Sequence, residues 1–172
     1  MPSEFRDDLK IISTPIDWLG LNYYTRSLIE NYKSNDGINY ECLRGNLKKT
    51  DMDWEFYPQG LGYFIERIHN EYNKKIPIYI TENGMANKDF LNEKNEIIDE
   101  DRIEYLDLHL KEVLKCLNKG IPIKGYFAWS LMDNYEWSFG YEKRFGIVYV
   151  DYQSFKRIPK KSYYEFQKYL CV

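Results

Sequence analysis

Cysteine is scarce in this chain: Cys42, Cys116 and Cys171 are the only three among 172 residues. They are too few and too scattered for a disulfide framework or a zinc site. A reduced, cytoplasmic setting is therefore the expectation, with no metal and no cofactor. Neither charge dominates. The 24 Lys+Arg stand against 27 Asp+Glu, a formal net charge of −3, whereas a nucleic-acid binder carries a basic excess. No apolar run approaches the ~20 residues of a membrane span, so no membrane partner is expected. The opening Met1-Pro2-Ser3-Glu4-Phe5-Arg6-Asp7-Asp8 lacks a charged-then-apolar leader, and no secretory signal is expected. Internal repeats and low-complexity linkers are absent too. What is abundant is aromatic: 17 Tyr, 9 Phe and 4 Trp make up 17% of the chain. Rings with polar tips suit interfaces and ligand clefts, although a Tyr-rich core and surface would give the same number.

The length suits one domain, residues 1–172 with no separate second domain. Residues 17–24 read as a short apolar, aromatic strand after Pro15. Residues 25–58 read as irregular, with a turn signal at Asn35-Asp36-Gly37 and short strands beside it. Leu61, Phe64, Ile65, Ile68 and Tyr72 share one helix face. Residues 77–81 follow as a buried strand stopped by Asn83-Gly84, and a polar loop runs to about Glu96. A second helix starts near Asp101, an N-cap with Glu104 three residues on. Its apolar side is Ile103, Leu106, Leu110, Val113, Leu114 and Leu117, and Gly120 then Pro122 end it. Residues 123–130 form a third buried strand, 146–151 and 154–158 a small hairpin, and 162–170 a closing helix. Strand–helix–strand–helix–strand calls for parallel strands with right-handed crossovers. Three such strands are too few for an eight-stranded barrel, which needs ~250 residues. The chain is thus a small open α/β domain or a piece of something larger.

In parallel α/β sheets, ligands bind at the carboxyl ends of the strands. Here those ends carry Asn22 and Tyr24, then Thr81-Glu82-Asn83, then Trp129-Ser130. A carboxylate, an amide, a phenol and an indole on one rim suit a polyhydroxylated ligand, which needs hydrogen-bond partners and an apolar platform. Taken singly, each residue has a plainer reading. Glu82 beside a turn is a solvated carboxylate, Asn22 and Tyr24 are strand-end polar groups, and Trp129 is core. Tyr135-Glu136-Trp137 reads as a packed loop, His69 and His109 as structural, and Lys156-Arg157 with Lys160-Lys161 as a solvated basic run.

Several blocks together resemble glycoside hydrolase family 1, the β-glucosidase family. Ile80-Thr81-Glu82-Asn83-Gly84 resembles its nucleophile motif. Gly20-Leu21-Asn22-Tyr23-Tyr24-Thr25, Arg102-Ile103-Glu104-Tyr105-Leu106 with His109-Leu110, the block from Gly125 to Trp137, and Lys143-Arg144-Phe145-Gly146 running on to Asp151 match further blocks, in order. The resemblance implies an α/β fold of the (β/α)₈ TIM-barrel type, of which this chain supplies the last three βα units (strands six to eight) plus a C-terminal hairpin and helix. It implies retaining hydrolysis of a β-glucoside or related small sugar, with two carboxylates about 5–5.5 Å apart, one attacking and one protonating. Position by position, Glu82 resembles the nucleophile, ionised at working pH and served by donors. Tyr24 supplies one donor and Asn22 faces the sugar 2-hydroxyl. Trp129 is the floor under the ring, Glu136 accepts from two hydroxyls, Trp137 donates its indole N–H, and Phe145 closes the wall. Trp54 resembles the aromatic on the leaving-group side.

The family's general acid lies in an Asn-Glu-Pro motif, and none occurs here: Asn70-Glu71, Asn92-Glu93 and Asn95-Glu96 all lack the proline. Asp53 stands where the family often has Gly before Trp54, Gln59 replaces a common Glu, and Tyr135 replaces a common Phe. The expectation is a fragment, inactive alone and needing a first-half barrel segment as partner. A non-catalytic sugar-binding module and an inactive remnant are the alternatives. The family branch acting on 6-phosphorylated sugars tends to have Ser, Lys and Tyr at the places of Glu136, Lys143 and Phe145, and only the Lys is present. Glu136 would repel a sugar phosphate, because like charges in a desolvated pocket cost several kcal/mol.

Overall fold

The computed structural model describes residues 5–34, 37–72 and 75–170. Cys171 and the Asn35-Asp36 part of the turn signal lie outside the described residues. Helix α1 (Phe5–Ile12), which the sequence did not announce, leads into strand β1 (Leu19–Asn22). Residues 25–58 are less irregular than expected: β2 (Leu28–Ser34) and β3 (Gly37–Leu43) pair antiparallel over seven residues each. Then come α2 (Pro58–Arg67), a π turn (Ile68–Tyr72), β4 (Ile78–Asn83), α3 (Glu100–Asn118) and β5 (Ile123–Ala128). A 3₁₀ turn (Trp137–Phe139), the hairpin β6 (Val148–Val150) and β7 (Arg157–Pro159), and α4 (Lys161–Leu170) complete the order. Among the described residues, no helix is long and apolar enough to cross a membrane.

The central sheet runs β1–β4–β5, with both pairings parallel. Each strand thus feeds a crossover helix, α2 between β1 and β4 and α3 between β4 and β5, as a βαβαβ unit requires. Ile78 and Ile80, two apart and both fully buried, turn one sheet face toward these helices. They pack with Tyr23, Leu61, Ile65, Val113, Cys116, Ile121 and Ile123 into the main core. Each fully buried Leu or Ile there contributes about 1.5–3 kcal/mol by transfer from water. The other face carries Trp18 edge-on to Tyr79 at 5.3 Å, with Thr81 and Phe127 beside them. Trp18 and Phe127 are more than half exposed, although parallel sheets ordinarily have both faces covered.

Two helix faces differ from expectation. On α2, Leu61 and Ile65 are buried, but Phe64 is half-exposed and Tyr72 largely exposed. Phe64, Ile68 and Tyr72 instead line an apolar hollow with Ile16, Leu19 and Ile76. On α3, the buried set is Arg102, Tyr105, Leu106, His109, Val113 and Cys116, while Leu114 and Leu117 are exposed. The face is turned by about one position because a buried arginine and a buried histidine are among its members. The N-cap position is Asp99 rather than Asp101, and the Asp99 carboxylate does not cap; it takes Arg102 and the hydroxyl and amide of Ser162. Lys160, expected in a solvated run, is fully buried.

His109 is structural, as expected. Its ring stacks on Tyr105 at 3.9 Å and its Nδ1 meets the Tyr105 carbonyl at 2.7 Å. Nε2 is buried without a hydrogen-bond partner among the described residues. Burial pushes the imidazole down from 6.5 to about 4. Above pH 6.5 folded and unfolded chains both hold it neutral, and the stability is complete. Between 6.5 and about 4 only the unfolded chain takes the proton, so stability falls by about 3 kcal/mol and then levels off. Urea unfolding followed from pH 7 to 4 should therefore lose stability more steeply in the wild type than in His109→Gln. Parallel profiles would show that this ring is not held neutral by burial.

Candidate active site

The carboxyl ends of β1, β4 and β5 converge, and the triplet Glu82-Asn83-Gly84 divides three tasks among three neighbouring residues. The β4 register breaks between Ile80 and Asn83, so that Asn83 rather than Glu82 continues the buried side of Ile78 and Ile80. Glu82 accepts a 2.7 Å hydrogen bond from the Tyr24 hydroxyl. Asn83 is fully buried. Its Nδ2 donates to the Tyr23 carbonyl at 2.7 Å and to the Tyr105 hydroxyl at 3.2 Å, and its Oδ1 accepts from the Tyr126 hydroxyl at 2.6 Å. Tyr105 in turn donates to the Tyr24 carbonyl at 2.6 Å. One amide thus ties β1, α3 and β5 together directly behind the carboxylate. Gly84 is small for a steric reason: a Cβ there would run into the Trp129 carbonyl oxygen. The Trp129 amide donates to the Asn83 carbonyl at 2.9 Å, so the two chain ends are zipped at the point where no side chain fits.

Around Glu82 stands an aromatic wall. Tyr24 lies 5.4 Å from Trp54 and 6.1 Å from Phe145, and Trp54 lies 6.1 Å from Phe145. Burial, then the bond to Glu82, pushes the Tyr24 phenol far above its ordinary range, so it stays a donor. Glu136 is half-buried in the loop after β5. Burial raises its carboxyl above the ordinary value, and the Glu82 charge raises it further. Asn22 accepts from the Thr81 hydroxyl at 2.6 Å. Trp129 is half-buried at the end of β5, and Trp137 is 81% exposed on the 3₁₀ turn. Lys143 donates to the Asp51 carbonyl at 2.7 Å and carboxylate at 3.0 Å.

The structure thus draws Glu82, Tyr24, Trp54 and Phe145 into direct neighbourhood and sets Glu136 within electrostatic reach of Glu82. It leaves Trp137 facing solvent. Sequence reading passed over Asn83, Tyr105 and Tyr126. Their signal was available, because a buried asparagine at a strand end demands partners and the chain is rich in tyrosine. Asp53 has a φ of 60°, the left-handed region that favours glycine. This accounts for the glycine often found there in the resembling family, and Lys49 at 3.0 Å and Arg44 at 3.3 Å flank the Asp53 carboxylate.

Parallel strands joined by helices, with polar side chains gathered at the strands' carboxyl ends, are shared by open α/β sheets and (β/α)₈ barrels; likeness to solved barrels makes this chain the last three βα units of the latter class. The sequence profile described as Glycosyl hydrolase family 1 matches residues 1–170. A 1,4-beta-D-glucan glucohydrolase of Thermotoga neapolitana is 44% identical over 95% of this chain and 36% of the relative. Beta-glucosidase A of Thermotoga maritima is 43% identical with the same coverage. A 6-phospho-beta-galactosidase of Clostridium acetobutylicum is 40% identical over 93% of this chain and 37% of its own length. The solved family 1 β-glucosidase of Thermotoga maritima, in complex with isofagomine lactam, superposes with a TM-score of 0.91 at 42% identity, over 98% of this chain and 37% of that one. The chain belongs to glycosyl hydrolase family 1 and spans a little over a third of the length of these relatives.

If Asn83 is the hub, Asn83→Ala strands the Tyr126 hydroxyl and the Tyr23 carbonyl in the core. Each unsatisfied buried group costs about 1–3 kcal/mol, so urea unfolding should show a loss of roughly 2–4 kcal/mol. A loss below about 1 kcal/mol would deny the hub its role.

Proposed function

We propose that this chain supplies the nucleophile-bearing part of a retaining β-glucosidase. The observation that carries the reading is the 2.7 Å bond from Tyr24 to Glu82 at the carboxyl end of β4, in a chain of this family. A Glu82 oxygen attacks the anomeric carbon while the glycosidic C–O bond breaks and its electron pair leaves on the aglycone oxygen, which takes a proton from a general acid. Water then attacks the same carbon from the opposite face, gives up a proton to that group, and frees Glu82 with overall retention. Tyr24 holds the carboxylate in line. Asn22 serves the 2-hydroxyl, where bonds tighten in the transition state. Trp129 is the platform, Glu136 and Trp137 grip the hydroxyls, Phe145 is the wall, and Trp54 borders the leaving group.

The acid is not among these residues. Glu71 sits in the π turn, paired with Arg67 at 2.9 Å, and Glu96 closes a local turn with Asn92. Glu93 is exposed in that same turn, and none of the three lies at a strand end. The acid is therefore proposed to come from the remaining barrel, whose strands would also cover Trp18 and Phe127. Alone the chain lacks a contribution of ~10²–10⁴-fold from general acid catalysis. An unphosphorylated sugar fits better than a 6-phosphate. Glu136 brings negative charge, and the Lys143 ammonium is already paired with Asp51.

A 2-deoxy-2-fluoro-β-D-glucosyl fluoride tests the nucleophile without an acid, because fluoride leaves unprotonated. The chain, combined with the unmatched first part of the Thermotoga maritima β-glucosidase, should gain the mass of one fluorosugar on the peptide holding Glu82, and Glu82→Gln should gain none. Label on another residue, or none in an assembled pair, overturns the assignment. The same pair should cleave an aryl β-glucoside in preference to its 6-phosphate; the opposite preference sinks the unphosphorylated reading.

A further inference from the structure

The loop joining β5 to β6 carries Glu136 and Phe145, and the loop after β4 begins just past Glu82 and Asn83. Neither is tied down by hydrophobic contact alone. Their bases meet at a buried ammonium. Lys160, fully buried, donates to Asp89 Oδ2 at 2.6 Å and to Asp133 Oδ1 at 2.7 Å. Asp89 lies on the loop after β4, seven residues beyond Glu82, and Asp133 lies three residues before Glu136. Both carboxylates are fully buried.

Each aspartate is anchored further. Asp133 Oδ1 also accepts from the Gly146 amide at 3.0 Å, and Oδ2 accepts from Arg144 at 2.6 Å. This pins the residues flanking Phe145 to the start of the same loop. Asp89 takes both terminal nitrogens of Arg102, at 3.2 and 2.8 Å, and Arg102 reaches the Arg144 carbonyl at 2.8 Å. Arg102 also meets Asp99. Three cations (Arg102, Arg144, Lys160) thus face three anions (Asp89, Asp99, Asp133). Lys160 is the member that touches an aspartate on each loop by an ion pair.

We propose that Lys160 is a positioning residue of the glycosidase site, whose buried ammonium clamps the loop after β4 to the loop after β5 and so fixes the spacing of Glu82 and Glu136. The inference rests on reading those two carboxyls as facing one sugar. An apolar residue at 160 would leave two buried carboxylates short of a cation. The loops would then part to admit water, because unpaired buried charge is costly. A displacement of about 1 Å can cost 10²-fold in rate.

The test reads the spacing rather than stability. Carboxyl ¹³C NMR of the full chain follows the titration of Glu136 with and without Glu82→Gln, so the change caused by Glu82→Gln reports the coupling of the two groups in each background. In the unmodified chain, Glu82→Gln should move the Glu136 midpoint down. In the charge-balanced K160M/D133N that movement should shrink by roughly half or more, since Coulomb coupling falls with distance and with added water. Asp89→Asn loosens one end of the clamp and should shrink it by less, in the same sense. Undiminished coupling in a folded K160M/D133N overturns the clamp and leaves a network that serves stability alone. If that variant does not fold, Asp89→Asn decides, and unchanged coupling there overturns the clamp equally. Absence of coupling in the unmodified chain overturns the shared cleft itself, whatever fluorosugar labelling of Glu82 gives.

Discussion

The amide of Asn83 is the constraint on which the site depends. A buried primary amide has two donor hydrogens and an acceptor oxygen to satisfy, and in a dry interior each unmet group costs as much as a lost hydrogen bond. Here the partners come from three elements: the Tyr23 carbonyl at the end of β1, the Tyr105 hydroxyl on α3, and the Tyr126 hydroxyl on β5. The requirement fixes the relative height of all three around β4. Because Glu82 precedes Asn83, the same requirement fixes where the carboxylate emerges. Tyr24 follows Tyr23 in the same way, so its hydroxyl arrives at Glu82 as a consequence of the backbone bond next to it. A buried network that is fully met can specify a unique arrangement, and this one does so one residue behind Glu82.

The existence of α2, α3 and α4 and of the three parallel strands was legible because their apolar residues recur at the right intervals, as Ile78 with Ile80 and Leu61 with Ile65 do. So was the rim at the strand ends, where Glu82, Tyr24 and Trp129 stand. What failed to show was polar burial. Lys160 reads as one more lysine in a basic stretch, since nothing in Lys156-Arg157 and Lys160-Lys161 tells which ammonium finds two aspartates 27 and 71 residues away. Arg102 and His109 likewise break the apolar stripe of α3, and a reading that counts only apolar residues turns the helix toward Leu114 and Leu117. Long-range polar pairing carries no period, so periodicity does not reveal it.

The uneven coverage of the sheet follows from what these residues do and do not provide. One face is closed by α2 and α3. The opposite face presents Trp18, Tyr79, Thr81 and Phe127, large side chains of the kind that fill a barrel interior in layers. An apolar surface of this sort calls for a covering partner. The family supplies the form of the cover, because its solved members extend well beyond the 37% that this chain matches. Covering the face and completing the proposed chemistry are therefore one requirement: the strands that would bury Trp18 and Phe127 are also those proposed to bring the proton donor.

The surroundings of Glu82 and Glu136 differ. Glu82 has a phenol pointed at it, and that phenol does not give up its proton, since burial and Glu82 itself both push it upward. Glu136 is raised, first by burial and then by the Glu82 charge. The asymmetry supports assigning attack to Glu82 and hydroxyl recognition to Glu136. It also gives the spacing between them a physical importance of its own. The proposed function needs both carboxyls to face one ring, which a displacement of about 1 Å already disturbs. The loops that carry them are consequently tied at their bases by charge rather than by packing alone, where directional bonds hold a distance that apolar contact would leave free to drift.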